Sequence, residues 1–196
     1  MKLILVRHGH PDPASATPRD PSLSETGIGQ ARAVSTALAA HGRIDYLVSS
    51  PLQRAHETAL EIANATSLPV HLMDGLAEAD RYADSYRSVE HLRSLPRSEW
   101  DAFLQDPITY LGADPEVFRR EVIGAFASIL SSNAETAIVV THGLPINLML
   151  SNALGLSRIT HFVPNYCSIT VLKGEDVDNL TVISVNETLH LPKGDA

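Results

Sequence analysis

The sequence predicts an α/β fold organised around a mainly parallel sheet with one antiparallel strand. Three observations carry this. Short apolar runs rich in β-branched residues alternate with longer segments whose apolar residues recur every three or four positions. Two of the runs, Leu3-Ile4-Leu5-Val6 and Ala137-Ile138-Val139-Val140, are continuously apolar, as strands covered on both faces are. Both stop abruptly, at Arg7-His8-Gly9 and at Thr141-His142-Gly143, and open α/β sheets gather ligands at such carboxyl ends.

Taken in order, the first strand ends at Arg7-His8. A long loop follows, because Pro11, Pro13, Pro18 and Pro21 exclude helix and central strand, and a loop of that length after a polar strand end reads as functional. A helix follows with Ser24 as N-cap and Ile28, Ala31, Val34 and Leu38 on one face. The second strand, Ile44 to Ser49, runs into Ser50-Pro51-Leu52-Gln53, where Ser50 is expected as N-cap and Pro51 at the first helical position. That helix continues through Ala55, Ala59, Ile62 and Ala63, and Leu68 to Leu72 makes a third strand. From Gly75 to about Gly112 the pattern breaks: Tyr82, Tyr86, Trp100, Phe103 and Tyr110 lie among charges with only short helical patterns, which reads as a cap-like insertion. Asp114-Pro115 opens another helix with Phe118, Val122, Ala125 and Ile129 on its buried face. Thr136 to Thr141 is the fourth strand, and Gly143 and Pro145 open a helix to about Gly155. Strands at Cys167 to Lys173 and Leu180 to Asn186, joined through Gly174-Glu175-Asp176, close the chain before a frayed Gly194-Asp195-Ala196 tail.

The 196 residues are expected to form one domain, 1–196, carrying the insertion at about 75–112. With 44% hydrophobic and 19% charged residues the composition is that of a folded globular chain, and a net charge of -8 leaves no basic footprint for nucleic acid or an anionic membrane surface. No leader pattern and no apolar run of about 18 residues is present, so a cytoplasmic protein is expected. The single cysteine, Cys167, fits a reducing compartment and reads as a buried, inert thiol within a strand. Oligomeric state is not legible.

Three strand ends carry one kind of chemistry: Arg7 and His8 after the first, Arg54 one turn after the second, His142 after the fourth. Two guanidiniums and two imidazoles at one sheet edge make a local cationic pocket in an acidic chain. Arginine presents a planar fork of donors that matches phosphate oxygens, and helix N-termini at Ser50-Gln53 and Gly143-Ile146 are expected to add backbone donors. The inferred ligand is a phosphoryl group.

At this point the sequence resembles the histidine phosphatases, the superfamily that includes cofactor-dependent phosphoglycerate mutase and the histidine acid phosphatases. The matching pieces are Arg7-His8-Gly9, Leu23-Ser24-Glu25-Thr26-Gly27 with Gln30-Ala31, Ser49-Ser50-Pro51-Leu52-Gln53-Arg54-Ala55 with Glu57-Thr58, and Val140-Thr141-His142-Gly143, in the family's order. The resemblance implies a three-layer α/β/α sandwich of the phosphoglycerate mutase-like kind. It implies that His8 is phosphorylated during turnover, that Arg7, Arg54 and His142 hold the phosphoryl oxygens, and that neither metal nor cofactor is needed. The family's acid is expected at the start of the insertion in a Leu-x-Glu context, which Leu76-Ala77-Glu78 supplies; Asp80 is the alternative.

Two departures bear on the activity. The mutase branch carries an acidic or small polar residue after Arg-His-Gly and an asparagine a few positions on, where this chain has His10 and Ala14, so His10 is a candidate substitute contact to phosphate or substrate. The glycolytic mutases are also longer, which favours hydrolysis of a small phosphorylated substrate over phosphoryl isomerisation, with a mutase-type phosphotransferase as the alternative. Two rivals stand further off. His8-x-His10-x-Asp12 resembles the metal-binding start of amidohydrolases, but an (β/α)₈ barrel takes about 250 residues. A non-catalytic phospho-ligand sensor would keep the pocket without an acid, so the position of Glu78 discriminates.

Overall fold

A computed structural model describes residues 1–192; the tail at 194–196 lies outside the described residues. The elements run β1 (Lys2–Arg7), α1 (Glu25–Ala39), β2 (Tyr46–Ser49), α2 (Gln53–Thr66), β3 (Val70–Leu72), α3 (Val89–Ser94), α4 (Arg97–Gln105), α5 (Pro107–Tyr110), α6 (Pro115–Leu130), β4 (Thr136–Thr141), α7 (Gly143–Leu154), β5 (Ile169–Lys173) and β6 (Thr181–Glu187). Short 3-10 turns at Asp74–Leu76 and Ala79–Tyr82 lead into α3. The six strands form one sheet in the order β3-β2-β4-β1-β5-β6. β3, β2, β4 and β1 are parallel, and β5 runs against both β1 and β6. A mainly parallel sheet with one antiparallel strand is therefore the fold.

Strand alternation divides the apolar residues between two faces. Ile4 and Val6 of β1, with Ile138 and Val140 of β4, pack with Ala31, Val34 and Leu38 of α1 and Ala55, Ala59 and Ile62 of α2. Leu3, Leu5, Ala137 and Val139 face the other way, onto Val122, Phe126 and Ile129 of α6 and Ile146 and Leu150 of α7. This makes the three-layer α/β/α sandwich. The 75–112 segment has no separate core of its own: Leu92, Phe103, Ile108 and Leu111 join the α6/α7 side of the main one. Among the described residues no helix is long and apolar enough to cross a membrane.

Three local expectations need correction. Ser50 is not the N-cap of α2; Leu52 holds that place without a side-chain bond, while the Ser50 hydroxyl accepts the Leu52 N–H and meets His142. On α6 the buried position belongs to Phe126, with Ala125 half-buried, since Phe118, Val122 and Phe126 keep a strict four-residue step. β5 starts at Ile169, and Cys167 adopts a left-handed backbone with φ 52° that breaks the strand before it begins. Its thiol is buried, and burial pushes its pKa up, as an inert cysteine requires.

Candidate active site

Register brings the strand ends together. Arg7 of β1 pairs with Thr141 of β4, and Ser49 of β2 pairs with Val140. The backbone N–H of His8 then donates to the Thr141 carbonyl at 2.9 Å, and that of Ser50 to the Val140 carbonyl at 2.9 Å. His8, His142 and Ser50 thus leave three neighbouring strands at one edge. The turn at Gly9 packs so closely on the start of α1 that a Cβ on Gly9 would lie 2.6 Å from the Gly27 carbonyl oxygen, and one on Gly27 2.1 Å from that of His10. Both glycines are needed for that approach.

The imidazoles of His8 and His142 have ring centroids 4.9 Å apart, and both are buried. His8 Nδ1 is 2.7 Å from the Gly9 carbonyl oxygen. A carbonyl only accepts, so Nδ1 carries the proton and Nε2 keeps its lone pair. Burial first, then the charges of Arg54 and Arg7, hold the pKa of His8 well below the ordinary histidine value. His142 is shifted down likewise, by burial, Arg54, His8 and Arg7. Its Nε2 lies 2.8 Å from the Ser50 hydroxyl, which in turn accepts the Leu52 N–H at 3.2 Å.

Arg54, on the first turn of α2, is fully buried, which an arginine tolerates only when paired. Its Nη2 meets Asp80 Oδ1 at 3.1 Å, its Nη1 lies 3.5 Å from Asp20 Oδ1, and its guanidinium sits 4.5 Å from the Tyr86 ring centroid. Arg7 donates from Nη1 to the Pro164 carbonyl and lies 3.9 Å over the Tyr166 ring. Among the described residues, the buried Nε of each arginine and the buried Nδ1 of His142 have no partner. The two arginine Nε–H groups are donors of the kind that the oxygens of a tetrahedral oxyanion can meet.

Glu78 reaches the same place. Its Oε1 accepts the Ala79 N–H at 3.1 Å and its Oε2 the Leu144 N–H at 3.1 Å. Burial and the neighbouring Asp80 carboxylate raise its pKa to about 7, against the opposing pull of the two N–H groups and Arg54. It lines one cleft with Arg7, His8 and Asp80. One expected backbone donor at each helix N-terminus is already taken: Leu144 N–H is on Glu78, and Gln53 N–H is held by both Asp20 carboxylate oxygens at 2.9 and 3.0 Å. Carboxylates of the chain itself occupy the dipole ends that the sequence reading assigned to the ligand.

A family model, the histidine phosphatase superfamily (branch 1), matches residues 3–188. The chain belongs to this superfamily. It is 31% identical to phosphoserine phosphatase 1 of Hydrogenobacter thermophilus over 97% of this chain and 94% of that protein. It is 28% identical to the adenosylcobalamin/alpha-ribazole phosphatase of Salmonella typhi over 94% and 96% of the two chains. A phosphoserine phosphatase mutant from Entamoeba histolytica, solved in complex with phosphoserine, superposes with a TM-score of 0.74 at 24% identity, covering 97% of this chain and 99% of that one. This histidine phosphatase is accordingly a phosphomonoester hydrolase by class.

Several motif residues turn out to brace the phosphatase site. The Gly9 N–H donates to Thr58 Oγ1, the His10 N–H to Gln30 Oε1, and the Leu23 N–H to Glu57 Oε2, all at or below 3.0 Å. His10, half-buried, is 2.9 Å from the Ser24 hydroxyl through Nδ1 and packs edge-on against Tyr166. His8 and His10, the pair of the metal-binding alternative, thus turn Nδ1 to separate partners, Gly9 and Ser24. Sequence reasoning missed Asp20, Ser50 as a histidine partner, Asn147 and Tyr166, and read Tyr86 only as one aromatic of the insertion. Of those missed, only Asn147 left a trace, as a buried amide within an apolar helix.

Proposed function

We propose that this histidine phosphatase hydrolyses small phosphomonoesters without a metal, through a phosphohistidine on His8. The observation that carries the reading is the uncharged His8 ring, with Nδ1 tied to Gly9, set among the charges of Arg54 and Arg7 and 4.9 Å from the His142 ring. His8 Nε2 attacks phosphorus while Arg7 and Arg54 neutralise the phosphoryl oxygens and the uncharged His142 ring helps to hold them. The departing alkoxide takes a proton from Glu78, whose pKa of about 7 keeps it substantially protonated at neutral pH. The resulting Glu78 carboxylate accepts a proton from water as that water attacks phosphorus, breaking the P–N bond and releasing phosphate and free His8. Asp80 is the lesser candidate for the acid because it is committed to Arg54. His10 is proposed to position the loop and meet the substrate edge.

The proposal treats 1–196 as one domain in which 75–112 is the cap over the site. The setting proposed is cytoplasmic, from the single buried cysteine, with a small phosphorylated substrate and neither nucleic acid nor membrane as partner. The test is to quench turnover of an aryl phosphate in alkali and look for acid-labile phosphate on the protein. The expected result is label on wild type, none on His8→Ala, and turnover that survives a chelator. Label on the variant refutes His8, and loss of turnover on chelation refutes the metal-free route.

A further inference from the structure

Resting on the phosphatase reading, a second property follows from the cleft that opens beside Arg7, His8 and Glu78 and runs along α3 and α4 to Leu111. Past the charged groups its walls are Leu92, Trp100, Phe103 and Leu111 on the cap side and Leu144 and Phe162 opposite. Trp100 and Phe103 stack with ring centroids 5.5 Å apart, and Phe103 meets Tyr110 edge-on at 5.8 Å, so the aromatic wall is braced. We infer that this cleft binds the leaving group and that it takes an apolar alkyl or aryl alcohol bearing a single hydrogen-bond donor.

The polar side chains that line the cleft are mostly committed elsewhere. Asp80 is bound to Arg54, Glu78 to two backbone N–H groups, and the Thr160 hydroxyl to the Leu104 carbonyl at 2.9 Å. An ammonium such as that of a phosphorylated amino acid therefore meets no uncommitted carboxylate among these groups. Arg87 is exposed, so a ligand carboxylate reaching it is paired in water, where an ion pair contributes little. Asn147 is the exception. Its Nδ2 donates to the carbonyls of Gly143 and Phe162, both at 2.9 Å. Two carbonyl partners fix the amide's orientation, so Oδ1 is an acceptor, buried in a residue of the cleft wall and without a partner among the described residues. An O–H or N–H on the substrate's alcohol satisfies it.

The experiment is a series of n-alkyl phosphates from ethyl to pentyl, whose leaving groups differ little in acidity, assayed beside O-phosphoserine, 3-phosphoglycerate and p-nitrophenyl phosphate. The expected kcat/KM rises ~4-fold per methylene, the equivalent of burying one CH₂, until the cleft is full. Phosphoserine and 3-phosphoglycerate are expected at least about tenfold below butyl phosphate. Scanning one hydroxyl along the butyl chain is expected to raise kcat/KM at one carbon. Phe162→Ser is expected to collapse the pentyl-to-ethyl ratio. A flat or falling series, or preference for phosphoserine, overturns the apolar cleft, and a loss at every hydroxyl position overturns the donor to Asn147. If p-nitrophenyl phosphate is also untouched, the phosphatase reading itself has failed.

Discussion

Arg7, His8, Arg54 and His142 stand on strand ends and the first turn of a long helix, where backbone bonds between His8 and Thr141 and between Ser50 and Val140 hold the strand ends side by side. Leu92, Trp100, Phe103 and Leu111 instead hang on or beside three short helices of the 75–112 segment, placed by apolar packing alone. The first region holds charge, the second excludes water, and Glu78 lies between them with one neighbour of each kind, Asp80 and Leu144. On the proposed reading, the contrast assigns the chemical step and the choice of alcohol to separable materials: directional bonds for phosphate, non-directional burial for the leaving group. Changes in the first region should therefore strike every substrate alike. Changes in the second should strike in proportion to the alcohol's apolar size.

The largest expected effect is that of His8→Ala, a loss of at least about 10³-fold in kcat for all esters, because the covalent route itself is removed. Steady-state rates on methyl, pentyl and nitrophenyl phosphate check it, and a loss confined to the larger esters breaks the division. Next is Arg54→Ala. It removes a phosphate donor and leaves Asp80 buried without its cation, so about 3–5 kcal/mol of stability should go with the activity. Arg54→Ala with Asp80→Ala should regain part of that stability in a denaturant titration while remaining inactive. If activity returns with stability, Arg54 is a structural residue and the polar region is smaller than drawn here.

How far each region was legible in the sequence follows the same division. Arg7, His8 and His142 could be read because each follows directly on a continuous apolar strand, and Arg54 because Ser50-Pro51 marks a helix start one turn before it. The backbone donors were misassigned because Asp20, thirty-three residues from Gln53, supplies the competing carboxylate, and no local pattern announces so distant a cap. Tyr166 was invisible for a related reason: it lies in irregular chain before β5, and only the fold lays its ring on Arg7. The cap's aromatics were seen as a cluster, but its helices span two or three turns at most and give too little periodicity to tell which faces point at the site.

Glu78→Gln sharpens the boundary between the regions. Without a protonated carboxyl, alkyl phosphates should slow by about 10²-fold or more while nitrophenyl phosphate, whose leaving group needs little protonation, changes far less. The pH profile carries the sign. Glu78 is raised to about 7, so wild-type turnover of alkyl esters should fall as pH rises through about 7. His8 is lowered, so the acidic limb should lie below the ordinary histidine range, where the nucleophile becomes protonated as pH falls. In Glu78→Gln the limb near 7 should vanish and the acidic limb remain. Loss of the acidic limb instead assigns it to Glu78 and reverses the two roles.

The smallest effect tests a residue that touches both regions. The Tyr166 ring carries the Arg7 guanidinium at 3.9 Å and packs on His8 at 5.5 Å, while its hydroxyl bonds Glu90 Oε2 of α3 at 3.0 Å. Stacking on a partly desolvated guanidinium is worth about 0.5–2 kcal/mol, so Tyr166→Leu should weaken inhibition by inorganic phosphate by about 2- to 30-fold. Tyr166→Phe keeps the ring and loses the hydroxyl's bonds to Glu90 and to Tyr86. If the ring's work is to hold Arg7 in place, the phenylalanine variant should stay within about threefold of wild type for phosphate, since neither bond touches the guanidinium. If phenylalanine costs as much as leucine, the hydroxyl's bonds to Glu90 and Tyr86 govern instead. Phosphate affinity then depends on where α3 sits, and the two regions are coupled through the hydroxyl of Tyr166.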